Sequence, residues 1–331
     1  MTGRWRDLGW AGLGLVALLL VAVVGARPAI RDFIMFAMAY GLLAMSLNLL
    51  IGYTGLVSFG HAMFFASGAY AFGLAMQSGH FSIPAAFVFA VALTAVLALV
   101  VGAICVRLNE IYFAFLTLAF QMLLYNLILG WVSFTGGDQG LTGGIPRPKF
   151  LGIDLADRMQ LYVFCSVAFV TCVAIMRQIV TSPFGYTLRL IRDNQDRAAF
   201  LGIDVVRVKL VCFVISACIA AVGGILLALF VSGAYPNFAF WTTSGESIFM
   251  IMLGGSRVFL GPLLGTIILR VLNDVTVIYT SHTELVLGIV ILIFVLGLRK
   301  GVLDLIADRI EARDQQKAFS QRDAADASKA S

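Results

Sequence analysis

IPAAFVFAVALTAVLALVVGAICV, residues 83–106, holds no charged residue and Thr94 as its sole hydroxyl. At about 1.5 Å per helical residue this run rises about 36 Å, enough to cross the roughly 30 Å of a bilayer's hydrocarbon core. A helix apolar all the way round has no face to offer water, so the run reads as a membrane crossing. Similar runs lie at 8–26, 32–51, 56–77, 111–132, 159–176 and 209–232, and three less regular ones at 240–256, 258–279 and 283–298. The chain is 60% apolar and 12% charged, where a soluble domain carries roughly 25% charged residues. It therefore reads as an all-α integral membrane protein of about ten transmembrane helices.

The charges fix an orientation. With a cytoplasmic N-terminus and ten crossings, 17 of the 23 Lys and Arg fall inside; Arg27, Arg31, Arg147, Lys149 and Arg158 fall outside, and Arg270 lies within a span. That is the asymmetry of the positive-inside rule, and a miscount of one early span would reverse it. The net charge of +5 is spread over short connections with no aromatic-interleaved stripe, so it indicates no nucleic-acid partner. Cys105, Cys165, Cys172, Cys212 and Cys218 all sit inside apolar runs, with no CxxC pair or histidine cluster to make a zinc or redox site, and read as small apolar side chains. The first run, 8–26, follows Arg4 and Arg6 and ends in Val24-Gly25-Ala26 like a cleavable signal. It exceeds the roughly 7 to 15 residues of a signal core, and a retained first helix is expected.

Two segments break the apolar pattern. GYTGLVSFGHAMFFASGAY, residues 52–70, brings four glycines with Ser58, His61 and Ser67 to membrane depth. LGGSRVFLGPLLG, residues 253–265, carries Gly254, Gly255, Gly261, Pro262 and Gly265. Irregular backbone at that depth survives only when buried in protein or lining a wet cavity. Two glycine-broken segments at comparable places in two related halves point to a transport pathway, with Tyr53, Ser58, His61, Gly254, Gly255 and Ser256 as its lining. The competing reading is close helix packing. Read singly, His61 is a hydrogen-bonded packing histidine, since no second histidine stands near it. Glu246, beside Trp241, Thr242, Thr243 and Ser244, is either a pathway charge or a carboxylate at headgroup level. Arg270 and Asp274, one turn apart, read as a mutually neutralising pair.

The stretch 181–209, TSPFGYTLRLIRDNQDRAAFLGIDVVRVK, predicts an amphipathic helix set between two spans. Ser182 is the N-cap, Pro183 the first helical residue and Gly202 the stop. Arg189 with Asp193, Arg192 with Asp196 and Asp193 with Arg197 would form an i,i+4 ladder. Phe184, Leu188, Ile191 and Ala198 would form the opposite, apolar face. That face either anchors a cytoplasmic partner or lies in the membrane interface. Residues 1–299 read as the transmembrane domain, with 177–209 as its cytoplasmic segment; residues 300–331 read as a polar cytoplasmic tail, a short interfacial helix running into disorder. The chain has no GxxxxGK[ST] loop, no HExxH, no GxSxG and no intramembrane carboxylate pair. It holds no nucleotide by that route, and an enzymatic role is unsupported.

On GYTGLVSFGHAMFFASGAY, SPFGYTLRLIRDNQDRAAFLGIDVVRVKL and FWTTSGESIFMIMLGGSRVFLGPLLG, in that order and spacing, the chain resembles the permeases of branched-chain amino acid ABC importers, the M-type subunit of the Liv systems, over about residues 31–300. Arg257 and Ala66 stand where relatives often carry glycine. The resemblance implies a multi-pass protein of the bacterial inner membrane. It also implies a homologous second permease, two cytosolic ATPase subunits and an extracytoplasmic substrate-binding protein, with no cofactor. Arg189, Arg192, Asp193, Asn194 and Gly202 become the expected ATPase contact. Leucine, isoleucine and valine are the implied substrates, with urea, short amides and aromatic acids carried by similar permeases. An ion-coupled carrier working alone and a non-transporting scaffold are the other readings.

The topology is tested by placing cysteine at position 192 and adding a membrane-impermeant maleimide. Labelling is expected in inside-out vesicles only; labelling from outside intact cells would sink the assignment.

Overall fold

In the computed structural model, the described residues are 28–108, 110–141, 143–147, 154–279, 282, 285, 286, 288, 289, 291, 292, 301–305 and 309. The expected first span, 8–26, lies outside them. So do most of the expected last span, whose described residues 285, 286, 288, 289, 291 and 292 are helical, and most of the tail. Every regular element among the described residues is a helix: α1 Pro28–Thr54, α2 Ala62–Gln77, α3 Ile83–Cys105, α4 Glu110–Gly130, α5 Val132–Thr135, α6 Arg158–Thr181, α7 Pro183–Asp193, α8 Gln195–Phe200, α9 Val205–Val231, α10 Trp241–Gly254 and α11 Gly261–Tyr279, with 3-10 turns at Gly137–Gln139 and Pro236–Ala239. Six of them, α1, α3, α4, α6, α9 and α11, are long and apolar enough to cross a bilayer. α2, at 16 residues, is about 24 Å long, and α10, at 14 residues, about 21 Å.

One expectation is corrected at once. The run 56–77 is helical only from Ala62, and Gly52, Tyr53 and Thr54 belong to the preceding helix. Gly55, at φ +78°, ends α1, because that backbone region is open to glycine and strained for other residues.

The chain divides into two compact units, Met1–Ile248 and Phe249–Ser331. In the first, α9 packs along α1, α2 and α3, and α2 packs along α3. Apolar burial is not what brings these helices together, because lipid is as apolar as leucine; close approach of small residues is. A Cβ at Gly224 would overlap the Phe65 carbonyl, one at Gly68 the Ala221 carbonyl, and one at Gly223 the Ala39 carbonyl. α9 thus presses its backbone against both α1 and α2. Phe64, Phe113 and Phe213 fill the remaining space, with Phe213 edge-on to Phe64 at 5.3 Å and to Phe113 at 5.8 Å between centroids. Outward, α3 and α4 expose Val88, Val96, Leu99, Ile111, Phe115 and Leu123. That inside-out surface suits hydrocarbon and would aggregate in water.

In the second unit the part of α10 from Phe249 onward meets α11 in the same way. A Cβ at Gly254 would overlap the Gly261 carbonyl, and one at Gly265 the Met250 carbonyl. Gly254, Gly261 and Gly265 therefore serve close approach, as the packing reading expects. Arg270 and Asp274 form the expected pair, Nε to Oδ1 at 3.2 Å.

Gly224→Ala forces backbone atoms apart and should lower stability by about 1–3 kcal/mol in detergent thermal unfolding. Gly130→Ala, where a Cβ meets nothing within 4 Å, should be neutral or stabilising. Equal behaviour of the two would contradict the close-approach account.

Candidate functional site

Where α1 ends, its last carbonyls lose their helical partners. Leu56 N–H, due to Gly52, donates instead to Leu50 O at 3.0 Å, and the Thr54 hydroxyl also donates to Leu50 O at 2.6 Å. Gly52 O is left to a side chain from far along the chain: Arg192 Nη1 donates to it. From Gly55 the chain runs non-helically to His61, burying Leu56, Ser58, Gly60 and His61. A Cβ at Gly60 would overlap the Thr117 carbonyl of α4. The run returns alongside α1, because His61 meets Ser46, which lies about 12 Å back from Thr54 along the helix.

His61 is fully buried, with Nε2 3.0 Å from Ser46 Oγ and 3.2 Å from Ser216 Oγ. Both hydroxyl protons are already committed, Ser46 to Leu43 O at 2.8 Å and Ser216 to Ser46 O. Nε2 must therefore carry the proton, leaving Nδ1 as an acceptor. Among the described residues neither Nδ1 of His61 nor Oγ of Ser58, also fully buried, has a hydrogen-bond partner.

α2 begins one residue later. Ala62 N–H donates to Ser244 Oγ at 2.8 Å; Ser244 donates to Gln121 Oε1 at 2.8 Å; Gln121 Nε2 donates to Ala239 O at 3.1 Å. Both side chains are fully buried. This chain of bonds ties the start of α2 to α4 and to the first turn of α10. Sequence reading missed both residues as partners; the signal was a lone glutamine inside the apolar run LAFQMLLY. Tyr53 is buried at the end of α1, and Glu246 is exposed on α10.

In the second unit Gly255, at φ +111°, follows α10, and the chain turns through Ser256–Leu260 into α11. Asp304 receives two of the turn's amides, Val258 N at 3.2 Å and Arg257 N at 3.5 Å. Asp304 lies in the stretch read as a polar tail, yet it is buried. A Cβ at Gly255 would stand 2.7 Å from its Cγ.

The segment 177–209 departs from its expectation in three ways. First, it is two helices, α7 and α8, divided at Asn194, which is extended at φ −163° and caps α8 by accepting from Arg197 N at 2.8 Å. Second, the charge ladder is not formed: among the described residues no ion pair joins Arg189, Arg192, Asp193, Asp196 and Arg197. Third, Leu188, Ile191 and Ala198 are buried, and α7 packs on α1 and α6, so the apolar face serves the chain's own helices. The Ser182 cap, accepting from Gly185 N at 3.4 Å, and Pro183 at the first turn are as expected. So is the stop at Gly202, at φ +83°. Arg189 donates to Val180 O at 3.2 Å and to Gly185 O at 3.4 Å, with its guanidinium 4.5 Å from the Tyr186 ring centroid. Of the apolar side chains that the segment exposes, among them Tyr186, Leu190 and Val206, Phe200, at 91%, and Leu201, at 69%, are the most open.

A third arginine works alike: Arg147, beyond the spans, donates to Leu229 O, with Phe230 O at 3.5 Å, at the end of α9. Burial pulls its pKa below the usual arginine value.

The family described as the permease component of the branched-chain amino acid transport system matches residues 29–296. The chain is similar to the high-affinity branched-chain amino acid transport system permease protein LivM of Salmonella typhimurium, at 24% identity over 330 residues covering 92% of this chain and 77% of the relative. It is similar to the protein of that name in Escherichia coli at 25% identity, covering 91% and 77%. A probable branched-chain amino acid transport permease protein LivM of Methanocaldococcus jannaschii is 25% identical, covering 76% and 82%. No solved structure matches the chain.

Ser244→Ala strips Ala62 N–H and Gln121 Oε1 of a buried partner each, and should lower thermal stability by about 1–3 kcal/mol. Adding Gln121→Leu should cost less than the sum of the two single changes, because the members share one network. Strict additivity would show that the chain of bonds does not act as a unit.

Proposed function

The chain belongs to the family of branched-chain amino acid transport system permease components, and from that premise we propose that it is the membrane-spanning subunit of an ATP-driven, binding-protein-dependent importer of leucine, isoleucine and valine in the bacterial inner membrane. Its proposed partners are a homologous second permease, two cytosolic ATPase subunits and an extracytoplasmic binding protein that selects the substrate. This chain carries out no covalent step. It offers a path and changes which side that path faces, driven by nucleotide binding in the partners.

The proposed ten crossings are the six long helices, the shorter α2 and α10, and the apolar runs 8–26 and 283–298. The two related halves are proposed on the ground that a broken segment occurs in each unit, Gly55–His61 in one and Gly255–Leu260 in the other.

The observation that carries the pathway assignment is the pair of unpartnered polar atoms at depth, His61 Nδ1 and Ser58 Oγ. Leaving a buried polar group unpaired costs about 1–3 kcal/mol, and a fold that keeps these two unpaired has reason to hold them for something that passes. Tyr53, at the head of the same break, and Glu246 are proposed as pathway residues with them. Gly255 and Ser256 enter as turning backbone, and Gly254 as the last helical residue before the turn.

For ATPase docking, Phe200 and Leu201 are the most exposed of the apolar side chains that the segment 177–209 leaves uncovered, and they stand side by side. Asp193, Asn194 and Gly202 hold the turns that present them.

Reconstitution of the full complex in liposomes tests both parts. Leucine uptake should require ATP and every partner, and the chain alone under an ion gradient should take up none; gradient-driven uptake by the single chain would refute the importer reading. Phe200→Ala with Leu201→Ala should reduce ATPase copurification by about tenfold, the scale of losing an interface hot spot. Undiminished copurification would remove these residues from the contact.

A further inference from the structure

Arginines 189 and 192 sit where a docking surface was expected, yet their guanidinium groups point back into the chain. Each meets a carbonyl that helix geometry orphans. Gly52 O loses its amide because Leu56 N–H turns to Leu50 O. At the end of α6, Pro183 has no N–H for Ile179 O, which takes Ser182 N at 3.2 Å and Ser182 Oγ at 2.6 Å instead. The neighbouring Val180 O receives Arg189. Neither arginine has a carboxylate partner among the described residues, so their charges answer the negative ends of two helix dipoles and the open carbonyls there. The stem of Arg192 also lies along the hinge, since a Cβ at Gly55 would stand 3.5 Å from Arg192 Cγ.

α7 is thereby fastened at one point to the end of α1, immediately ahead of the break, and at another to the end of α6. The segment Leu56–Gly60 between the hinge and His61 is non-helical and forms no helical ladder of its own.

We propose that Arg192, with Arg189 beside it, is a positioning residue that transmits movement of the segment 177–209 to α1 and the Gly55–His61 break, and is not part of the ATPase contact. This rests on the reading that ATPase subunits act on that segment. A rigid helix fastened to the last turn of α1 by a charge-assisted bond carries that turn with it. Without the bond, the segment moves and the break does not follow.

The test uses the complete complex in liposomes, with ATPase copurification, ATP hydrolysis and leucine uptake measured on the same preparation. Arg192→Gln should copurify with the ATPase as wild type does, and keep its hydrolysis. It should lose about tenfold in leucine taken up per ATP hydrolysed, the scale of one lost charge-assisted hydrogen bond. Arg192→Lys, which retains a charged donor, should recover part of that ratio. Misfolding lowers uptake and hydrolysis together and leaves the ratio unmoved, so the ratio separates transmission from stability, and Arg192→Lys supplies the reading if Arg192→Gln accumulates poorly. Loss of copurification in Arg192→Gln would overturn the inference in favour of docking, and an unchanged ratio would overturn it outright. A wild-type complex that takes up leucine without ATP would instead overturn the importer reading beneath it.

Discussion

Backbone amides and carbonyls in an apolar solvent must find partners within the protein, and at several helix ends among the described residues that demand decides which residues meet. Carbonyl ends take guanidinium groups: α1 takes Arg192, α6 takes Arg189 and α9 takes Arg147. Amide ends take oxygen. In the first unit Ser244 receives Ala62 N–H, and in the second Asp304 receives the amides of Arg257 and Val258. Few of these partners lie near in sequence, so the bonds that satisfy a helix end also tie distant parts of the chain together.

Close packing supplies the other half. Gly68, Gly223 and Gly224 let α9 lie against α1 and α2 at backbone distance, which brings Ser46, His61 and Ser216 within hydrogen-bond reach of one another. The cluster is satisfied on one side of the imidazole only. Among the described residues Nδ1 of His61 is left without a hydrogen-bond partner. The asymmetry follows from counting protons: two serine hydroxyls already spent on carbonyls force the ring to donate through Nε2 and leave its other nitrogen as an acceptor.

The segment after α6 shows how a polar stretch is misread in the absence of its surroundings. Its arginines and aspartates stand at i,i+4 spacing and resemble a self-contained ladder, worth about 0.2–0.5 kcal/mol per pair on an exposed helix. An orphaned carbonyl at a helix end is a stronger claimant on a guanidinium than an exposed carboxylate already well hydrated. Arginine at two positions where a ladder needed only a cation was the available hint. Asn194 was likewise legible as a cap residue, but not as one that divides the stretch.

By itself the sequence determined that the chain is helical and apolar enough for lipid, where the long helices run, that Ser182 and Gly202 bound the polar segment, and that two glycine-broken stretches interrupt the pattern. Those are consequences of local composition and of a solvent that tolerates little but helix. Only the tertiary structure decided that the first break begins at Gly55, that Arg192 serves Gly52, that Ser244 and Gln121 start α2, and that Asp304 belongs to a buried turn. The last three rest on bonds between residues 46 to 182 positions apart, chosen by which groups the backbone leaves unpaired, and no local pattern carries that information.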